Sequence, residues 1–275
     1  MKAGFRLASS LAPPLAALAA EELFMRPPRP KQRPAAILEK GHRFTIQLGN
    51  DELKVWSWGD GPTVLLQHGW GGRSDHLAPF VEPLLASGFS VVAPDAPAHG
   101  DSQGTRSSLV MFTQTIEAVA EKVHGLHGVI AHSMGAAATA MALSRGLDLR
   151  RVVFIASPAS LTERIHQFSN EVGLAPWVGQ ALRDRLERRV GIDMDAFEMA
   201  RVARTMATSL LVFHDPDDRE IPWRDGATIA QAWPGAKLID VPGAGHHRIL
   251  RDPQVISSAI DFMSSGLRTN GGTDL

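Results

Sequence analysis

Ser133 stands at the sharpest change of character in this chain. Before it, Gly128-Val129-Ile130-Ala131 is a short apolar run that reads as a buried strand. After it, from Met134 onward, an Ala-, Met- and Leu-rich stretch reads as a helix. A serine between strand and helix, with Ala131 two residues before it and Gly135 two residues after, has the pattern of a nucleophile elbow. Such a turn holds a hydroxyl above the sheet edge, and its neighbours must be small because the two backbones pass closely. The first small residue is Ala rather than the usual Gly, a departure from the strict pattern. The chain contains no Cys and no Tyr, so Ser, Thr, His and carboxylates must carry any chemistry.

The polar candidates cluster at other strand ends. Gln67-His68-Gly69-Trp70-Gly71-Gly72 follows the apolar run Val64-Leu65-Leu66, and Pro94 to Ser102 (PDAPAHGDS) follows Ser90-Val91-Val92-Ala93. His214 to Pro222 (HDPDDREIP) follows Leu210 to Phe213, and Pro242 to His247 (PGAGHH) follows Leu238 to Val241. In open α/β sheets, ligands bind beyond the carboxyl ends of the strands, so these clusters fall where chemistry is expected. At this level Asp215, Asp217 and Asp218 compete as acid, with Asp95 a further candidate, and His246 competes with His247 as base.

Elements must exist to position these groups. Phe44 to Leu48 and Leu53 to Trp58 alternate around Gly49-Asn50-Asp51 and read as an antiparallel hairpin. From Val64 onward, short apolar strands alternate with helices expected at Leu77–Ala86, Leu109–Val123, Arg224–Trp233 and Pro253–Met263. The predicted fold class is therefore α/β: a mostly parallel, doubly wound sheet with an N-terminal antiparallel hairpin and a helical insertion. The insertion is the stretch from about 158 to 207, too long for an ordinary connection and without a strand signal, and it reads as a cap over the strand ends. The expected organisation is an N-terminal amphipathic segment and Pro-rich linker over 1–40, the main domain over 41–268, and a flexible tail over 269–275.

Composition narrows the classes. Lys and Arg total 28 against 29 Asp and Glu, with 44% hydrophobic and 21% charged residues, so an ordinary globular protein is expected and a nucleic-acid partner is not. No run reaches the roughly 18 apolar residues of an integral membrane span. Lys2 and Arg6 precede a weakly apolar run in which Ala17-Leu18-Ala19 has the form of a cleavage site. Pro13-Pro14 and two serines interrupt that run. A short amphipathic helix, Leu15 to Phe24, packing on the domain or a partner is the preferred reading, and with it a cytoplasmic location. No His-Glu-x-x-His or similar spacing occurs, so neither metal nor cofactor is expected.

Taken together and in order, HGWGG, DAPAHGDS, AHSMG, HDPDDREIP and GAGHH resemble the α/β-hydrolase superfamily, from about residue 44 to 265. The resemblance implies Ser133 as nucleophile, Asp218 as acid and His246 as base, in the family's chain order. Asp215 stands where the family has Gly, which is a departure. The resemblance also implies an oxyanion hole made by the backbone amides of Trp70 and Met134. The expected activity is hydrolysis of a small-molecule carboxylic ester through an acyl-enzyme, in the manner of a carboxylesterase. A thioesterase, amidase or perhydrolase on the same fold, or a non-catalytic binding member, are the alternatives.

Overall fold

The computed structural model describes residues 2–29, 35–195 and 197–265. The tail expected at 269–275 and residues 30–34 of the Pro-rich stretch lie outside the described residues. The chain opens with two helices, α1 (Lys2–Leu11) and α2 (Pro13–Met25), separated at Ala12. Pro13 and Pro14 occupy the first two positions of α2, where a missing N–H costs nothing.

Three strands follow: β1 (His42–Leu48), β2 (Asp51–Trp58) and β3 (Thr63–Gln67). β1 and β2 form the antiparallel hairpin, with Phe44 opposite Val55 and Leu48 opposite Asp51. The helix expected at Leu77–Ala86 is split. Ser74–Phe80 is a 3₁₀ segment containing Pro79, and only α3 (Val81–Ala86) is α-helical. Proline removes an i→i−4 bond and clashes with the preceding turn, which explains the break.

The alternation then runs β4 (Ser90–Pro94), α4 (Leu109–Lys122), β5 (Gly128–His132), α5 (Met134–Ser144) and β6 (Arg151–Ile155). Helices α6 (Leu161–Val172), α7 (Pro176–Val190) and α8 (Met199–Ala203) occupy the long connection to β7 (Ser209–His214). The chain closes with α9 (Trp223–Ala232), β8 (Lys237–Asp240), the four-residue α10 (Gly245–Arg248) and α11 (Pro253–Ser264).

These strands form one eight-stranded sheet in the order β1-β2-β4-β3-β5-β6-β7-β8. β2 meets β4 antiparallel, and every pair from β4 to β8 is parallel. The expected fold class is thus observed, antiparallel start included. The order reverses beside β3, since β4 lies on one side of it and β5 on the other. A crevice is open there at the carboxyl ends of the strands.

Alternate residues of each central strand feed opposite cores. Leu65, Val129, Val152, Phe154 and Val212 pack with Phe112 and Ile116 of α4, the alanines of α5 and Trp233. Leu66, Val91, Ile130, Val153 and Phe213 pack with Leu84 of α3 and Val255, Ala259 and Met263 of α11. Burial on both faces is why these strands read as continuous apolar runs. A third cluster joins Ala16, Ala17 and Ala20 of α2 to Ile165 of α6 and Val178, Leu182 and Leu186 of α7. Among the described residues, no helix is long and apolar enough to cross a membrane.

Candidate active site

The site is built from four turns at the carboxyl ends of the strands. The first is the β5–α5 turn. Ser133 has φ 51° and ψ −121°, a strained conformation for a residue with a Cβ. Its amide donates to the Ile155 carbonyl at 2.9 Å, and its carbonyl accepts from Ala136 at 3.0 Å. The strain is therefore held from both sides. Gly135 has to be Gly: a Cβ there would lie 2.6 Å from the His68 carbonyl oxygen and 2.7 Å from that of Gln67. Ala131, the departure from the strict elbow, is wholly buried in the strand and leaves the turn intact.

The second turn follows β3. A Cβ on Gly69 would meet Ser133 Cβ at 2.9 Å, so the HGWGG loop lies directly against the elbow. Its shape is held from within by His68, which donates from Nδ1 to the Gly69 carbonyl at 2.7 Å and accepts at Nε2 from the Ala96 amide at 3.0 Å. Burial, reinforced by the neighbouring His99, keeps this imidazole neutral by holding its pKa well below the ordinary histidine value. Asp95 is committed to the same loops. Its carboxylate accepts from the amides of Ser74 and Asp101, both at 2.7 Å. As the first residue of α5, Met134 has an N–H with no intrahelical acceptor. Neither that amide nor the Trp70 amide donates to an acceptor among the described residues.

The third and fourth turns carry the acid and the imidazole. His246 Nδ1 donates to Asp218 Oδ2 at 2.8 Å, and the Asp218 side chain is fully buried. Asp218 Oδ1 accepts from the amides of Glu220 (2.8 Å) and Ile221 (3.1 Å). Burial pushes this carboxyl up. The hydrogen bond and charge of His246, with the two amides, outweigh it and leave the pKa below the ordinary aspartate value. With Nδ1 donating to a carboxylate, the lone pair of the neutral imidazole lies on Nε2.

The other carboxylates are occupied elsewhere. Asp215 accepts from Asp217 N at 2.9 Å, from Gly243 N at 3.3 Å and from Gly245 N. It thereby ties the acid turn to the loop that carries His246. Asp217 is exposed. His247 is turned toward solvent, with Nε2 at 3.2 Å from Glu220 Oε1.

One contact of the AHSMG motif is not apparent from the sequence. His132, immediately before Ser133, donates from Nε2 to the backbone carbonyl of His246 at 2.9 Å. Its ring centroid lies 4.7 Å from that of His246. The signal in the sequence was an imidazole as the final residue of a buried strand, where a polar side chain needs a partner. The role of Asp215 had no signal beyond its place in a run of carboxylates.

Ser133, Met134, Trp70 and His246 all line a cavity of about 980 Å³. Its walls are largely apolar, with Leu109, Leu161, Ile165, Phe168, Leu186 and Met194 among them. That size and lining are those of a small-molecule site. Among the described residues, no group of three or more His, Asp or Glu side chains could hold a metal ion.

Comparison with known proteins bears on the fold and the family. An uncharacterised hydrolase of Saccharomyces cerevisiae is 31% identical over 87 residues, 30% of this chain. That match spans 29% of the length of the yeast protein. Among solved structures, Est1E from Butyrivibrio proteoclasticus with ferulic acid bound superposes with a TM-score of 0.66 at 19% identity, covering 82% of this chain and 99% of that one. An esterase from Exiguobacterium antarcticum gives 0.63 at 14% identity, over 80% and 98% of the two chains. A bromoperoxidase from Bacillus anthracis gives 0.62 at 17%, over 82% and 99%. The sequence profile of the alpha/beta hydrolase family matches residues 63–259, which spans every strand end described above except the β1–β2 hairpin. The chain belongs to the alpha/beta hydrolase family.

Proposed function

We propose that this protein is a serine hydrolase that cleaves carboxylic esters through an acyl-enzyme on Ser133. The observation that carries the reading is the 2.8 Å bond from His246 Nδ1 to the buried Asp218 carboxylate, at the edge of the cavity that Ser133 also lines. That bond fixes the imidazole tautomer so that Nε2 can accept a proton.

In the proposed reaction, His246 Nε2 takes the Ser133 hydroxyl proton as Oγ attacks the ester carbonyl carbon. The tetrahedral oxyanion is held by the amides of Trp70 and Met134, each contributing roughly 3 kcal/mol in the transition state. His246 then protonates the departing alcohol. A water enters, gives its proton to Nε2, and attacks the acyl carbon to release the carboxylic acid and Ser133. Asp218 orients the imidazole throughout and stabilises its charged form. Helices α6 and α7 act as the cap, contributing Leu161, Ile165, Phe168 and Leu186 to the wall of the cavity.

Labelling by a fluorophosphonate probe tests the reading, since only an activated serine reacts. Wild-type protein is expected to label and Ser133→Ala not to. A p-nitrophenyl ester panel measured beside matched thioesters and anilides then assigns the bond cleaved. Unlabelled wild-type protein, or turnover retained in Ser133→Ala, would overturn the proposal.

A further inference from the structure

Helices α1 and α2 lie outside the matched family region, which begins at residue 63, yet α2 reaches the candidate active site. Leu23, Phe24 and Met25 at its end, and Pro28 beyond it, line the same cavity as Ser133 and His246. Phe24 packs edge-on against Phe168 of α6, with ring centroids 5.1 Å apart, and both rings face that cavity.

This arm is fastened at four points. Glu21, 1% exposed, is bound by Arg185 Nε at 2.5 Å and by Arg189, both on α7. Glu22 pairs with Arg106 in a two-pronged bond of 2.7 and 2.9 Å. Beyond α2, Arg29 donates to the carbonyls of Ala98 and Ser102, both at 2.7 Å, and of Gly104 at 3.2 Å. The Met25 carbonyl accepts from the Ser107 amide at 2.8 Å. The arm therefore spans from the helices above the site to the loop between β4 and α4, and crosses the cavity on the way. Such fastening fixes Phe24 in place, so its ring forms a standing wall of the pocket.

Resting on the reading of Ser133 as nucleophile, we propose that the N-terminal arm forms the acyl-binding wall of the site. Phe24 and Leu23, with Phe168, Ile165 and Leu186, select esters whose acyl group is an extended apolar chain over those of short acids. The chemistry follows from the lining: an apolar wall gains free energy with each methylene removed from water. A long acyl chain has many methylenes to bury against that wall, whereas an acetyl group has none.

The test uses the full chain. Wild type, Phe24→Ala, Phe24→Leu and Leu15→Ser are compared on p-nitrophenyl acetate and octanoate, and decanoate binding to each is measured calorimetrically in a Ser133→Ala background. Leu15 is on the outer face of α2, 66% exposed and away from the cavity. The expected octanoate-over-acetate ratio of kcat/KM falls about tenfold in Phe24→Ala, less in Phe24→Leu, and is unchanged in Leu15→Ser. Decanoate affinity is expected to follow the same order. Equal ratios and equal decanoate affinities across the folded variants would overturn the proposal, and Phe24→Leu serves if Phe24→Ala does not fold. Decanoate binding that depends on Phe24 in a protein without esterase activity would retain the arm as an apolar-chain site and sink only the reading of Ser133.

Discussion

His132 and His246 are joined by a bond from side chain to backbone: His132 Nε2 donates to the His246 carbonyl at 2.9 Å. The strand that ends one residue before the candidate nucleophile thereby holds the loop that carries the candidate base. Burial, reinforced by the charge His246 would carry, keeps His132 neutral by holding its pKa well below the ordinary value, which leaves the ring as a fixed donor. His132→Leu removes that donor and leaves a buried carbonyl unpartnered, at about 1–3 kcal/mol of stability. It should lower kcat by about tenfold or more while KM moves little, because the misplaced group acts in the chemical step. His132→Gln, which can donate to the same carbonyl, should recover part of the loss. If Leu and Gln variants are equally active and match wild type, the bond has no part in positioning His246.

Asp218 and Asp215 lie three residues apart and should fail differently. Asp218→Asn keeps the size of the side chain but loses the carboxylate that orients His246, so kcat should fall by about 10⁴-fold with the fold retained. Asp215→Asn should retain measurable turnover but lose about 1.5–3 kcal/mol, because three amides lose a charged acceptor. The pH sign follows. Burial raises the Asp215 carboxyl, but the amides of Asp217, Gly245 and Gly243 outweigh this and leave it below its ordinary 3.8. Its contribution is therefore complete above 3.8 and is lost as pH falls through the depressed folded value. Urea titrations of wild type and Asp215→Asn should converge at strongly acid pH. A wild-type advantage that persists there would contradict this account.

Much of this was legible in the sequence, for a physical reason. The central strands are buried on both faces, so they read as continuous apolar runs, and the turns between them carry the Gly and polar residues that chemistry needs. Asp218 could be ranked above its neighbours by family pattern, but not by residue type. The choice depends on which carboxylate meets an imidazole and which meets three amides, and that is a matter of turn geometry. The break at Pro79 is local and could have been read from Ser74 to Phe80. The contribution of Phe24 to the pocket wall could not. It depends on Glu21 meeting Arg185 and Arg189, more than 160 residues away in sequence, and no local periodicity encodes that pairing.

Acid should destabilise the protein before its carboxylates titrate. Burial lowers the pKa of His99 from 6.5 to about 4, and Arg29 adds to this against the opposing bond to the Pro97 carbonyl. His68 and His132 move in the same direction. As pH falls below 6.5 the unfolded chain takes up protons that the folded chain refuses. Stability is thus complete above 6.5 and declines from there to about pH 4. His99 alone accounts for roughly 3 kcal/mol over that window. Chemical denaturation at pH 7.5, 6 and 5 should show a falling free energy of unfolding. A flat profile from 7.5 to 5 would mean that these imidazoles are not held neutral.

The two sides of the Glu21 ion pair should not be equivalent. Glu21 is buried, whereas the side chains of Arg185 and Arg189 are 33% and 39% exposed. Burial raises the Glu21 carboxyl, and the two guanidiniums outweigh it, leaving the pKa below its ordinary 4.5. Removing both arginines, as in Arg185→Met with Arg189→Met, leaves a carboxylate in the interface between α2 and α7 without a partner, which costs about 3–5 kcal/mol. Glu21→Gln leaves two cations that can turn into water, so its cost should be nearer 1 kcal/mol. The loss should appear first as release of the arm, read as faster amide exchange in α2 while the central strands stay protected. Once both guanidiniums are gone, burial alone acts on Glu21 and raises its carboxyl, so the double arginine variant should recover protection as pH is lowered, whereas Glu21→Gln should not respond. Equal exchange rates in the two variants at neutral pH would show that the pair is exposed to water in solution and does not hold the arm.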